Sequence, residues 1–171
     1  MKGETADPDL PPRSGLVGRL HMGLGRLAIL TRLRFSLPLS LGVKLLATNA
    51  AGEVLLVRHS YVPGLALPGG AVEPGETTRE AAVREAIEET GVEIPDPPRL
   101  FHVYLNRALA NRDHIVLYTA RDVRQPRPPG PRPEILSARF YDPANLPEDV
   151  TPATRARIAE VLEEALPSDH W

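Results

Sequence analysis

The sequence predicts an α/β fold with a mixed β-sheet and helices on both faces. Three observations predict it. Short runs of β-type composition recur between residues 43 and 141, a strongly signalled helix lies among them at 77–90, and a second helix closes the chain. Strands interleaved with helices on this scale bury their apolar faces in one layered domain. A chain of 171 residues is long enough to form its core.

The elements follow in order. Residues 1–13 (MKGETADPDLPPR) are polar and proline-broken, which predicts a disordered tail. Residues 14–41 form a basic amphipathic segment. Leu16, Leu20, Leu24, Leu27 and Leu30 recur at helical spacing among Arg13, Arg19, Arg26, Arg32 and Arg34. Gly15, Gly18, Gly23 and Gly25 each weaken such a helix by about 1 kcal/mol relative to alanine. This segment is expected to pack on its own domain or on a second copy as a homodimer contact.

A domain is expected over residues 42–166, with 167–171 as a C-terminal tail. It opens with runs 43–48 and 53–59 around the turn Asn49-Ala50-Ala51-Gly52, a predicted hairpin. A short run at 65–68 leads to Gly69-Gly70. Thr77 followed by Glu80 reads as a capping box, and Gly91 as the helix stop. Strands are predicted at 100–106, 114–122 and 135–141, with the proline-rich stretch 125–134 as an extended loop. Thr151 caps the last helix, Pro152 occupies its first position and Pro167 stops it. Its Ile158, Val161, Leu162 and Ala165 form the predicted docking stripe.

Composition excludes several chemistries. The chain has no cysteine, which removes disulfides, thiolate nucleophiles, cysteine zinc sites and iron–sulfur clusters. A net charge of −2 gives no global field favouring nucleic acid, so a nucleic-acid partner is not expected. No apolar run is long enough to cross a bilayer, so no membrane partner is expected either. With its polar, acidic N-terminus the chain is expected to be cytoplasmic.

Acid is concentrated in residues 70–92 (GAVEPGETTREAAVREAIEETGV). Six glutamates and two arginines give this stretch a charge of −4, against −2 for the whole chain. Glu85, Glu88 and Glu89 stand at i, i+3 and i+4, on one helix face. Val83 and Ile87, with Ala82 and Ala86 beside them, are expected to pack on a sheet. Carboxylates that repel at this spacing are relieved by a hard divalent cation such as Mg²⁺ or Mn²⁺, and such ions bridge phosphates. A plain solvated face is the alternative. Against it stand the absence of lysine from that face and the Gly-Pro loop before it.

The same stretch resembles the Nudix box. The fixed positions of that motif fall on Gly70, Glu76, Arg84, Glu85, Glu88, Glu89 and Gly91, with apolar positions at Ala86 and Val92. The resemblance implies a Nudix-like α/β/α sandwich with a mixed β-sheet and a glutamate-rich loop–helix. It also implies a pyrophosphohydrolase acting on a nucleoside diphosphate linked to another moiety. By position, Glu85, Glu88 and Glu89, with the carbonyl of Gly70, would hold Mg²⁺ or Mn²⁺. Arg84 would orient a box glutamate, Glu85 or Glu88 would be the general base, and Gly69, Glu76 and Gly91 would shape the loop and helix. Arg58, His59, Tyr61, Tyr104, Arg107 and His114 flank the expected cleft and are the candidate contacts to a small nucleotide substrate. A catalytically silent nucleotide sensor and an RNA 5′-end pyrophosphohydrolase are the rival readings.

Overall fold

The computed structural model describes residues 39–107, 112–126 and 133–171. The N-terminal tail, the amphipathic segment up to residue 38 with its dimer role, and the middle of the proline-rich loop therefore lie outside the described residues.

The strands are β1 (Ser40–Ala47), β2 (Val54–His59), β3 (Leu65–Ala66), β4 (Arg99–Asn106), β5 (Asp113–Ala120) and β6 (Ile135–Tyr141). Among the described residues the helices are α1 (Thr78–Thr90) and α2 (Pro152–Leu162), with one 3₁₀ turn at Pro143–Asn145. The described strands form two three-stranded sheets. The first, in the order β1-β5-β4, is mixed: β1 runs parallel to β5 and β4 antiparallel to it. The second, β3-β2-β6, is antiparallel throughout. This is the α/β sandwich with a mixed sheet that the sequence predicts.

The predicted hairpin is a correction. Its turn exists, with Gly52 N–H donating to the Asn49 carbonyl at 3.0 Å, but β1 and β2 enter different sheets. Only an isolated bridge between Thr48 and Val54 joins them. Every residue of β2 is buried, and a strand covered on both faces shows no alternation to reveal its partners.

Two cores lie on either side of the strands. Val43, Leu45, Ala47 and Leu55 join Ala81, Ala82 and Ala86 of α1. Leu46, Val54, Leu56, Tyr104 and Leu117 join Ile158 of α2. Alternate residues of β1 thus serve opposite cores, as a period of two requires. The packing face of α1 differs from the expected one. Its buried residues are Ala81, Ala82, Ala86 and Thr90, whereas Ile87 is 46% exposed. Short side chains let the helix axis approach the sheet, which brings its glutamates close to the neighbouring loop.

At the other end, α2 stops at Leu162, before Pro167. Ala165 falls outside it, and Leu162 is 38% exposed. Of the predicted stripe, Ile158 is buried and Val161 packs against the second core. The final residues are seated on the domain. Leu105 N–H donates to the Asp169 carbonyl at 2.9 Å, Trp171 N–H donates to Leu105 at 3.1 Å, and Trp171 meets the Tyr104 ring edge-on.

Candidate active site

The site begins with a loop pinned to the free edge of β1. Val43 N–H donates to the Gly70 carbonyl at 2.9 Å, Leu45 N–H to Pro68 at 3.0 Å, and Val72 N–H to Leu41 at 3.0 Å. Both glycines are dictated by close approach. Gly69 has φ +137°, and a Cβ there would lie 2.1 Å from the Val43 carbonyl oxygen. At Gly70 a Cβ would lie 2.5 Å from Glu85 Oε1. The backbone is thus held between a strand on one side and a carboxylate of α1 on the other.

The helix that carries these acids starts and stops as its sequence prescribes. The Thr77 hydroxyl accepts from Glu80 N–H while the Glu80 carboxylate accepts from Thr77 N–H, a complete capping box. At the other end Gly91 takes the left-handed conformation at φ 67° and donates to Ile87 at 2.8 Å.

Arg84 organises the first half of the site. Its Nε and one terminal nitrogen grip both oxygens of Glu76 at 2.8 and 2.9 Å, the two-pronged geometry of a guanidinium on a carboxylate. The other terminal nitrogen reaches Glu85 at 2.9 Å and Glu88 at 3.3 Å. The Arg84 hydrogen bonds hold Glu76 below the usual carboxylate range, and the Glu76 bond in turn raises Arg84. Glu88 is the outermost acid, with its side chain 58% exposed.

Glu89 occupies a drier place. Its Oε2 accepts from Gly69 N–H at 2.8 Å, and its Oε1 lies 3.5 Å from His59 Nε2. Burial raises Glu89 to about 7, with Lys44 and the Gly69 N–H opposing and Glu85 and Glu134 adding to the rise. Burial, then the charge of Lys44, lowers His59 to about 4. At neutral pH His59 is therefore uncharged, and its contact with Glu89 is not an ion pair. The Tyr61 ring lies beside that of His59, tilted at 44° with centroids 5.1 Å apart. Its hydroxyl is pushed up to about 12 by burial and by Glu89, Glu134 and Glu85.

Lys44 is the residue that reading the sequence missed. Its Nζ donates to the carbonyls of Leu67 at 2.9 Å and Gly69 at 2.7 Å. Burial lowers its pKa, while Glu89 and then Glu85 oppose that shift. The available signal was its rarity. The chain contains only two lysines, and this one interrupts the apolar run VKLLA.

The remaining candidates are spread out. Arg58 pairs with Asp149 at 2.6 Å. His114 lies on β5 opposite Leu41 and Leu105. Arg107 is exposed just past β4. Tyr104 is 0% exposed in the second core, where its hydroxyl donates to Glu160 at 2.7 Å. An open groove of about 860 Å³ lies between residues 73–76, α1 and residues 94–98. Glu76 and Arg84 line it, but Glu85, Glu88 and Glu89 do not.

Chemically, the donor set on this face consists of carboxylate and carbonyl oxygens with excess negative charge, which suits a hard divalent cation. The glycine cradle that seats the Glu85 carboxylate against the backbone fits the same use. Among the described residues no three acids or histidines already converge as a cage. Glu85 is engaged by Arg84 and Glu89 by Gly69, so the carboxylates would turn toward an ion from these partners.

Comparison with known proteins bears on the same residues. Residues 38–164 match the family described as NUDIX domain. An ADP-ribose pyrophosphatase of Methanocaldococcus jannaschii is 43% identical over 67 residues, 37% of this chain and 39% of that protein. An RNA pyrophosphohydrolase of Rhodopseudomonas palustris is 29% identical over 153 residues, 75% of this chain and 92% of that protein. The relatives matched at 36% identity or more are covered over only 22–39% of their own length. Among solved structures, a MutT NUDIX hydrolase from Burkholderia pseudomallei superposes with a TM-score of 0.60 at 25% identity. That match covers 71% of this chain and 97% of that one.

Proposed function

The chain belongs to the Nudix family, and from that premise we propose that it is a metal-dependent pyrophosphohydrolase. The reaction is cleavage of a phosphoanhydride bond in a nucleoside diphosphate linked to another moiety. One observation carries the reading: Glu85 lies against Gly70 while Glu89 accepts from Gly69 N–H, so two box carboxylates flank one glycine turn.

Mg²⁺ or Mn²⁺, held by Glu85, Glu88 and Glu89 with the Gly70 carbonyl, would neutralise the pyrophosphate and acidify the attacking water. The chain's own residues do the rest. Arg84 fixes Glu76 and orients Glu85. Glu88, the most exposed of the three acids, takes the proton from the attacking water at its carboxylate. Glu85 is seated against the Gly70 backbone and is far less exposed, which favours Glu88 of the two as the base. His59 and Tyr61, in ring contact beside Glu89, form the wall that a nucleotide would meet.

The test is turnover of a nucleotide panel: ADP-ribose, sugar nucleotides, dinucleoside polyphosphates and nucleoside triphosphates, oxidised ones included, with Mg²⁺, Mn²⁺ or chelator. At least one compound is expected to be cleaved, and only with metal. Binding without cleavage of any compound would favour the silent sensor instead.

A second reading, an RNA 5′-end pyrophosphohydrolase, draws support from the Rhodopseudomonas palustris relative, whose match spans most of both chains. The arginines of segment 14–36 add the cationic charge such a substrate needs. It predicts cleavage of triphosphorylated RNA that weakens steeply as salt rises.

A further inference from the structure

We propose that Lys44 is a positioning residue that clamps the glycine turn onto β1 and, through Gly69, places Glu89. This deepens the hydrolase reading and rests on it for the kinetic part alone. The geometry is a chain of contacts through one residue. Lys44 Nζ donates to the Gly69 carbonyl at 2.7 Å, and Gly69 N–H donates to Glu89 Oε2 at 2.8 Å. A second bond from the same ammonium to Leu67 at 2.9 Å spans the turn. The loop is thus tied to β1 at Gly70 and Pro68 by backbone bonds and at Gly69 and Leu67 by the lysine.

The choice of lysine has a physical reason. The two carbonyls need a donor that reaches both, and an ammonium on a flexible stem supplies up to three N–H groups. A cation here also offsets the repulsion between Glu85 and Glu89, which no lysine or arginine of α1 does for Glu89 among the described residues. An apolar side chain would leave both carbonyls without that donor and Glu89 without its nearby cation.

Lys44→Met and Lys44→Arg separate this role from general stability. Methionine keeps the apolar stem and removes donors and charge, whereas arginine keeps both. Amide hydrogen exchange of the intact protein is read at Gly69 and, as an internal control, at Leu46 and Leu117. In Lys44→Met the Gly69 amide is expected to exchange about tenfold faster or more, with the control amides unchanged. On a substrate found in the panel, kcat falls about tenfold with KM within about threefold, and Lys44→Arg recovers part of both losses. A Gly69 amide as protected as in the wild type overturns the proposal. So does uniform loosening of all three amides, which is the mark of a merely structural lysine. Should the wild type cleave nothing, the hydrolase reading fails while the exchange result still decides the clamp.

Discussion

The two helices each carry an arginine–glutamate cluster, and the clusters are arranged for opposite ends. On α2, Arg157 and Glu160 pair at 2.6 Å with both side chains almost fully enclosed. Glu160 takes the Tyr104 hydroxyl and the Ser168 N–H as well, and the Arg157 guanidinium lies 4.2 Å above the Tyr104 ring. One cation meets one anion, away from water. On α1, Arg84 faces Glu76, Glu85 and Glu88 at once, and Glu89 stands near Lys44 and an uncharged His59. Carboxylates outnumber cations there, and some remain within reach of solvent. The same residue types lock a fold when their charges balance in the interior, and keep capacity for a ligand when they do not.

The largest expected effect comes from breaking the sealed cluster. Glu160→Ala leaves Arg157 buried without its anion and should cost about 3–5 kcal/mol of stability. Denaturant unfolding measures this, and the folded fraction should retain its turnover. An unchanged midpoint would mean that the cluster contributes little to the fold.

Next comes the open cluster. Glu85→Gln is expected to lower turnover about 100-fold, or about 3 kcal/mol of barrier, with little change in unfolding midpoint. Steady-state kinetics and thermal unfolding on the same preparation check the two halves. Loss of both together would place Glu85 with the structural acids of α2.

The smallest effect sharpens the contrast through pH. His59 titrates near 4 when folded against an ordinary 6.5, so the unfolded chain binds more protons between these values. Its contribution to stability therefore rises with pH across that window. Glu89 titrates near 7 against an ordinary 4.5, so the folded chain holds more protons and stability falls as pH rises from 4.5 to 7. Each shift amounts to about 3 kcal/mol at most, and the two oppose one another. The metal-free wild type should show a flat profile between pH 4.5 and 6.5. Glu89→Gln should climb across it, because His59 owes its shift to burial and Lys44 and not to Glu89. Parallel profiles for the two proteins, from urea titrations at several pH values, would contradict this.

Much of the site was legible because its signals are local. The Thr77–Glu80 capping box, the Gly91 stop and the i, i+3, i+4 glutamates are set by helix geometry over a few residues, and the helix formed as read. The glycine pair was legible as a turn, but its reason was not. Contacts of Gly69 with Val43 and of Gly70 with Glu85 bring together residues distant in sequence.

The other misses share that cause. β1 and β2 read as a hairpin because a good turn joins them, yet partner choice was settled by β5 and β6 far along the chain. Ile87 looked like core by type, but the alanines allow closer packing. Tyr104 looked like a cleft residue by position, but the Glu160 carboxylate that accepts its hydroxyl comes from α2, 56 residues on. Lys44 reveals its role only when the loop is laid on β1.

The most direct test of the central claim is Mn²⁺ binding without substrate, followed by electron paramagnetic resonance. The wild type and Glu160→Gln should bind the ion alike, while Glu85→Gln combined with Glu89→Gln should weaken binding about tenfold or more. Equal affinity in all three proteins would contradict the assignment of the α1 glutamates as the cation site.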